Sequence, residues 1–374
     1  MSICLCMIVK NEEKIIERCL NSAKDIIDYI SICDTGSTDN TVSIIKNWCE
    51  KNKISGTVHH EPFKNFGYNR TQSVNLAKKT YPDSTYLLLI DADMILKIDA
   101  RFNKQKLTEQ QYLIMQYDYT IKYWNTRLIK TSLTWNCVGV THEYWDSPDH
   151  PKSSKLDTLS IDDRGDGGCK SNKFERDKML LTDGINNSET PSHLRSRYMF
   201  YLAQTEHDLQ NYNEAIKWYK KRIEEGGWDE EIYYSKYKIG LCYEHLMEQS
   251  TKNSELYSSL ASYYYLEAWN FRPTRAETLY HLARLYRLQG KNQIALLYAL
   301  KGKEIKFPVD DILFVDFRVY DYLLDFEISI CAYYVKDNLY LGSCSIKNLL
   351  KKMDQLPLDI QSTVRANSKF YLKK

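Results

Sequence analysis

Up to about residue 180, short apolar runs alternate with amphipathic stretches. The run ICLCMIV (3–9) is followed by helical spacing from Glu12 to Ala23, and YISIC (29–33) by a helical pattern from Thr41 through Trp48. GTVHH (56–60) is followed by one from Asn69 to Lys79, and YLLLI (86–90) runs straight into Asp91. Strands alternating with helices predict a parallel sheet with both faces covered. From Gln111 onward the runs YLIMQYDY, IKYW and TRLIK come without clear helices between them, which predicts a mixed or antiparallel edge.

Beyond Thr190-Pro191 the period becomes helical almost throughout, with internal self-similarity. Leu202, Ala203, Ala215 and Tyr219 stand at the spacing of a tetratricopeptide helix pair. Ile239, Gly240, Tyr243, Ala261, Tyr265, Ala268 and Pro273 form a second set, and Leu282, Ala283, Tyr286, Ala295, Ala299, Gly302 and Pro308 a third. A loop insertion is expected around Glu248 to Ser254, and a degenerate fourth unit near Ile330 to Leu350. Small residues at such positions let paired helices approach closely, and each unit buries its open face on the next. An ordinary helical bundle with alanine-rich seams is the competing reading.

Composition mainly excludes. In 374 residues, 51 Lys plus Arg stand against 49 Asp plus Glu, so no global charge argues for nucleic acid or an anionic membrane. The ten cysteines form no CxxC pair, and Cys4 and Cys6 share one expected strand, where a mutual disulfide is geometrically poor. Reduced thiols are expected. The start MSICLCMIVKNEE reaches charge at Lys10 without a basic leader, so it reads as a first strand rather than a signal peptide. No apolar run approaches membrane-spanning length, and a cytoplasmic protein is expected.

The candidate chemistry sits at strand ends. YISIC is followed by DTGSTDNT (34–41), in which Asp39 suits a helix cap whereas Asp34 closes a buried strand. In an open α/β sheet, ligands bind at the carboxyl ends of the strands. YLLLI ends in Asp91-Ala92-Asp93, a DxD. Two carboxylates at one strand end repel each other unless a cation sits between them, and Mg²⁺ or Mn²⁺ favours oxygen ligands shared with phosphates. Arg70, expected in the first turn of a helix opened by Asn69, suits a diphosphate or else pairs with a surface carboxylate.

Taken in order, MIVKNEE, DTGSTDNT, the Arg70 region, LLLIDADM and WNCVGVTHEYW (135–145) resemble the nucleotide-sugar-dependent family-2 glycosyltransferases of the GT-A fold. The whole chain resembles their tetratricopeptide-carrying branch. The resemblance implies an α/β nucleotide-binding GT-A domain, a Rossmann-like mixed sheet, over 1–180, and an all-α tetratricopeptide-like repeat domain over 181–374. It places Asp34 and the Asp39 region beside the base and ribose, counts Arg70 and Asp91 among the donor-binding residues, and gives Asp93 the metal that bridges the diphosphate. Two departures stand out: Thr35 replaces a second acidic residue after Asp34, and Met94 replaces an acidic residue after the DxD.

Similarity to HE-containing relatives makes Glu143 the general base and His142 a metal ligand or a supporting residue. If the strand before them continues, their side chains point in opposite directions. The alternative is a pair that only satisfies core polar groups between Trp135 and Trp145. Asp162, Asp163 and Asp166 in IDDRGDGGCKSNKFERD (161–177) are rival carboxylates. This Gly-rich segment reads as too short and polar for a core element: it is either a lid, with Lys170, Lys173 and Arg176 available for phosphate, or a linker.

The expected function is a metal-dependent inverting glycosyltransferase, using Mn²⁺ or Mg²⁺ and a nucleoside-diphosphate sugar, foremost a UDP-sugar, on a protein or glycan acceptor. The repeats would hold the acceptor or make a homodimer. The alternatives are an inactive tetratricopeptide adaptor with a vestigial transferase domain, and a sugar nucleotidyltransferase, against which the missing Gly-rich Arg-Lys phosphate loop speaks.

Overall fold

The computed structural model describes residues 1–118, 122–168, 173–250 and 252–371. The chain divides into two compact units, 1–194 and 195–374.

In the first unit, β1 (Ile3–Val9), β2 (Tyr29–Asp34), β3 (Ser55–His60) and β4 (Tyr86–Leu89) run parallel, as the alternation predicted. Between them lie α1 (Ile16–Ala23), α2 (Thr41–Asn52) and α3 (Phe66–Thr80). The other half of the sheet is built from β5 (Met94–Ile98), β6 (Gln111–Tyr117), β7 (Lys122–Lys130) and β10 (Ser153–Asp163), giving the order β3-β2-β1-β4-β7-β6-β10-β5. The pairs β4/β7, β7/β6 and β10/β5 are antiparallel, so the expected mixed half is present. β8 (Asn136–Val138) and β9 (Tyr144–Asp146) form a separate two-stranded ribbon, and α4 (Lys173–Asn186) follows β10.

Side-chain parity decides the layers. Ile3, Leu5, Met7 and Val9 of β1 pack with Ile16 and Leu20 of α1 and with Ile45 and Trp48 of α2. Cys4 and Cys6 face the other way, onto Val74 and Ala77 of α3. The nine described cysteines are all unbridged.

Two expectations change here. The polar segment from 161 is not wholly outside the core, because Ile161, Asp162 and Asp163 end an eleven-residue strand paired on both sides. The division expected at 180 falls inside α4, whose Leu180 and Leu181 are buried and whose Asp177 reaches Thr141 Oγ1 at 3.5 Å.

The second unit contains α5 (Ser192–Asp208), α6 (Tyr212–Glu224), α7 (Asp229–Gln249), α8 (Ser254–Phe271), α9 (Glu277–Leu288) and α10 (Asn292–Lys303). They are followed by α11 (Leu324–Cys331), α12 (Leu339–Lys351) and α13 (Leu358–Tyr371). The three predicted sets fall on α5/α6, α7/α8 and α9/α10, with Leu202, Ala203, Ala215, Ile239, Ala261, Tyr265, Leu282, Ala283, Ala295 and Ala299 all buried. The loop expected near 248–254 falls at the break between α7, which ends at Gln249, and α8, which begins at Ser254; residue 251 lies outside the described residues. The degenerate fourth unit is α11 and α12, joined through Cys331, Ile346 and Leu349.

Gly240 shows why the repeats need small residues. A Cβ there would stand 2.4 Å from Tyr265 Cε1, inside contact distance. Gly240→Ala is therefore expected to lower the thermal midpoint of this unit. Overpacking costs about 1–3 kcal/mol and outweighs the roughly 1 kcal/mol by which alanine is the better helix former. Differential scanning calorimetry checks it; an unchanged or higher midpoint would contradict this close approach.

Candidate active site

The sheet reverses its strand order at β1, which has β2 on one side and β4 on the other. Such switch points leave a crevice at the carboxyl ends of the strands. Here the crevice is a cleft of about 870 Å³, lined by Val9–Glu12 after β1, Thr35 after β2, Asp91–Met94 after β4 and Asp163–Gly165 after β10. Arg70, Phe66, Lys173 and Arg176 complete much of its wall, with the Arg176 guanidinium 4.9 Å from the Phe66 ring centre. Lys170 lies outside the described residues.

The loop after β2 organises the start of α1. Asn11, Glu12 and Glu13 donate their amides to Ser37 Oγ (3.0 Å), Thr41 Oγ1 (2.7 Å) and Asp39 Oδ2 (3.1 Å). The helix expected from Glu12 is regular only from Ile16, after a turn in which the Ile15 and Ile16 amides donate to Glu12 O. Burial alone would raise the Asp39 pKa, but hydrogen bonds from Thr41 and the Glu13 amide hold it below the ordinary value. Asp34 is buried; it accepts from the Gly36 and Ser37 amides and lies 3.4 Å from His60 Nδ1. Neither residue is part of the cleft lining, to which this loop contributes Thr35.

Asp91 continues the parity of Leu87 and Leu89, the face covered by α3. There Arg70 Nη1 donates to Asp91 Oδ1 at 2.7 Å, and Arg70 Nε to Glu143 Oε1 at 2.6 Å. Burial would lower the arginine pKa, but Asp91 and Glu143 hold it well above its usual range. Burial likewise opposes ionisation of Asp91, and Arg70 and Arg127 reverse this, so its pKa is lowered. Arg70 thus pairs with two largely buried carboxylates rather than with a surface one.

Two local expectations are corrected. α3 opens at Phe66, capped by Asn65 Oδ1 on the Tyr68 amide, while buried Asn69 ties Lys64 N and Pro62 O. The strand before Glu143 does not continue: His142 has φ +49° in the turn joining β8 to β9, so simple alternation does not apply. His142 is exposed and Glu143 is largely buried against Arg70; neither is part of the cleft lining. Gly67 seats this turn on α3. Its amide donates to Gly139 O, and a Cβ there would stand 2.3 Å from that oxygen.

Asp93 reaches the cleft. A methyl group on Gly167 would lie 3.4 Å from both Asp93 Oδ2 and Glu12 Oε1, so the two carboxylates face each other across that residue. Burial, then Asp93, Asp39 and Asp91, push the Glu12 pKa up to about 6 against the opposing Gly168 amide. No cluster of three or more His, Cys, Asp or Glu residues suited to a metal occurs among the described residues. Mg²⁺ and Mn²⁺ sites of this kind often use one or two carboxylates plus substrate phosphates, and Asp93 fits that arrangement better than His142. Of the rival carboxylates, Asp163 lines the cleft; Asp162 pairs with Arg164 at 2.8 Å and Asp166 with Arg18 at 2.6 Å.

The sequence reading missed Arg127 and Gln116. Arg127 Nη1 lies 3.6 Å from Asp91 Oδ2, and Nη2 donates to Gln116 Oε1 at 2.7 Å. Arg127 sits in TRLIK at a register shift, where Tyr112 pairs Leu128 and Leu113 pairs Thr126. Such a bulge re-aims a side chain and has no signature in an alternating pattern.

Gly67→Ala is expected to push the β8–β9 turn off α3 with a stability loss of roughly 1–3 kcal/mol. Thermal unfolding checks it, and a parental midpoint would contradict it. Glu12 carries a pH signature. Its folded pKa lies above that of a free glutamate, so its contribution is present below about pH 4.5 and is lost as pH rises through about 6. In chelator, Glu12→Gln should gain thermal midpoint relative to the parent between pH 5 and pH 7.5. A difference independent of pH would contradict the shift.

Residues 4–135 match the model of the glycosyl transferase family 2. Over 104 residues the chain is 36% identical to the SPbeta prophage-derived glycosyltransferase SunS of Bacillus subtilis (strain 168), covering 28% of this chain and 22% of that protein. Over 96 residues it is 33% identical to a TPR repeat-containing protein of Synechococcus elongatus, covering 26% of this chain and 21% of that one. The matched stretch is thus about a fifth of each relative's length. A crystal structure of S. aureus TarS resembles the chain with a TM-score of 0.37 at 13% identity, over 65% of this chain and 52% of that one, too distant a likeness to carry weight. Residues 4–135 are thus similar to the glycosyl transferase family 2, and a tetratricopeptide-like helical half follows them in the chain.

Proposed function

We propose that this chain is a metal-dependent, inverting glycosyltransferase that takes a nucleoside-diphosphate sugar, foremost a UDP-sugar, and transfers the sugar to a protein or glycan acceptor. The observation that carries the reading is the DxD at the end of β4, opening into the cleft at the switch point between β1 and β4. A divalent ion bound by Asp93 would neutralise the diphosphate as it departs. Lys173 and Arg176 line the same cleft and supply further positive charge.

Glu143 is the residue we assign to the acceptor proton. Arg70 engages its Oε1, which fixes the carboxylate and leaves Oε2 as the atom assigned to take that proton. Arg70 and Asp91 then act less as direct nucleotide ligands than as the frame between the base and the DxD. Asp34 and Asp39 serve the nucleotide side by shaping the loop that presents Thr35. The helical half offers a surface for the acceptor polypeptide or glycan, or for a second copy. No described helix is long and apolar enough to cross a membrane, and we place the protein in the cytoplasm.

A thermal-shift screen of nucleotide sugars with and without Mn²⁺ tests the reading, because a true donor raises the midpoint by mass action. Asp93→Asn should abolish the Mn²⁺-dependent part of the shift. Turnover unchanged in chelator would refute the metal requirement. Glu143→Gln should retain donor affinity while transfer falls about a hundredfold or more; transfer near the parental rate would move the base to Asp163.

A further inference from the structure

A chain of buried contacts runs beneath the cleft and joins its two sides. Glu143 Oε1 meets Arg70 Nε at 2.6 Å, Arg70 Nη1 meets Asp91 Oδ1 at 2.7 Å, and Asp91 Oδ2 faces Arg127 Nη1 at 3.6 Å. Arg127 then grips Gln116 Oε1 through Nε (3.1 Å) and Nη2 (2.7 Å), and Gln116 Nε2 donates to Asp163 Oδ2 at 2.8 Å. Asp91 and Asp163 both line the cleft, at the ends of β4 and β10, whereas Arg127 and Gln116 are buried and outside its lining.

Packing alone gives no reason for this arginine. Its neighbours Leu128 and Ile129 join the two apolar layers, while the register skips Arg127 itself. A buried guanidinium is costly unless paired. This one is paired with groups that reach both sides of the cleft, and its fork fixes which way the Gln116 amide points. A lysine at this place would supply charge without that orientation.

We propose that Arg127 is a positioning residue of the transfer reaction: it holds Asp91 directly and Asp163 through Gln116, so that the two cleft carboxylates keep a fixed separation under the bound nucleotide. This rests on the glycosyltransferase reading above. Asp163 thereby becomes a substrate-facing group whose orientation depends on a residue that touches no substrate.

The test is a double-mutant cycle on the full chain, with UDP as the probe and affinity measured by calorimetry in saturating Mn²⁺. Arg127→Gln is expected to weaken UDP about tenfold and Asp163→Asn about threefold. The double variant should stay near tenfold rather than reach the roughly thirtyfold of independent effects, because Asp163 has already lost its fixed donor. Arg127→Lys is the companion should Arg127→Gln fail to fold. It keeps the charge but not the fork, so Asp163→Asn should again lose its effect in that background. Thermal midpoints report folding separately. Parental UDP affinity in the folded Arg127 variants, or effects that multiply in full, would overturn the proposal. A parent chain that binds no UDP at all would instead overturn the nucleotide reading, and the proposal with it.

Discussion

Arg70 is the residue on which the rest of this site depends. A guanidinium that is only 17% exposed must be paired, and its two partners come from different parts of the chain: Asp91 from the end of β4 and Glu143 from the turn between β8 and β9. Removing one partner of such a buried pair costs about 3–5 kcal/mol, so three elements are held to one geometry. The contacts around it serve that geometry. Asn65 caps α3, Asn69 ties down the preceding loop, and Gly67 admits the Gly139 carbonyl against the helix.

This pairing divides the labour between the two carboxylates of the DxD. Asp91 is neutralised from below by Arg70 and Arg127. Asp93 instead faces Glu12 across Gly167, and burial together with the neighbouring carboxylates raises the Glu12 pKa to about 6. Both line the cleft, and the first is also held from below. The acids after β2 show a similar economy: Asp34 and Asp39 take up loop amides, and the loop presents Thr35.

The fold was legible where one physical rule governs a whole segment. Alternation of apolar runs and amphipathic stretches located β1 to β4 and the three helices between them: β1, β2 and β4 are buried on both faces and so mostly apolar, while β3 is a half-exposed edge strand. The repeat spacing located α5 to α10, since small residues are needed where helices touch, as Gly240 does against Tyr265. Less legible were the ends. α1 begins at Ile16, after a turn whose Asn11, Glu12 and Glu13 amides are taken by side chains 26 to 29 residues away, and α3 begins at Phe66 because Asn65 caps it.

The sequence by itself therefore determined the order of strands and helices, the position of the DxD at a strand end and the helical character of the second half. These follow from local periodicity, which side-chain chemistry encodes residue by residue. Only the tertiary structure decided what each charged group meets. The bulge that turns Arg127 toward Asp91, the left-handed His142 that breaks the alternation before Glu143, and the pairing of Asp163 with Gln116 all arise between segments distant in sequence. Buried charges choose partners by three-dimensional proximity in a low dielectric, and no spacing along the chain records that choice.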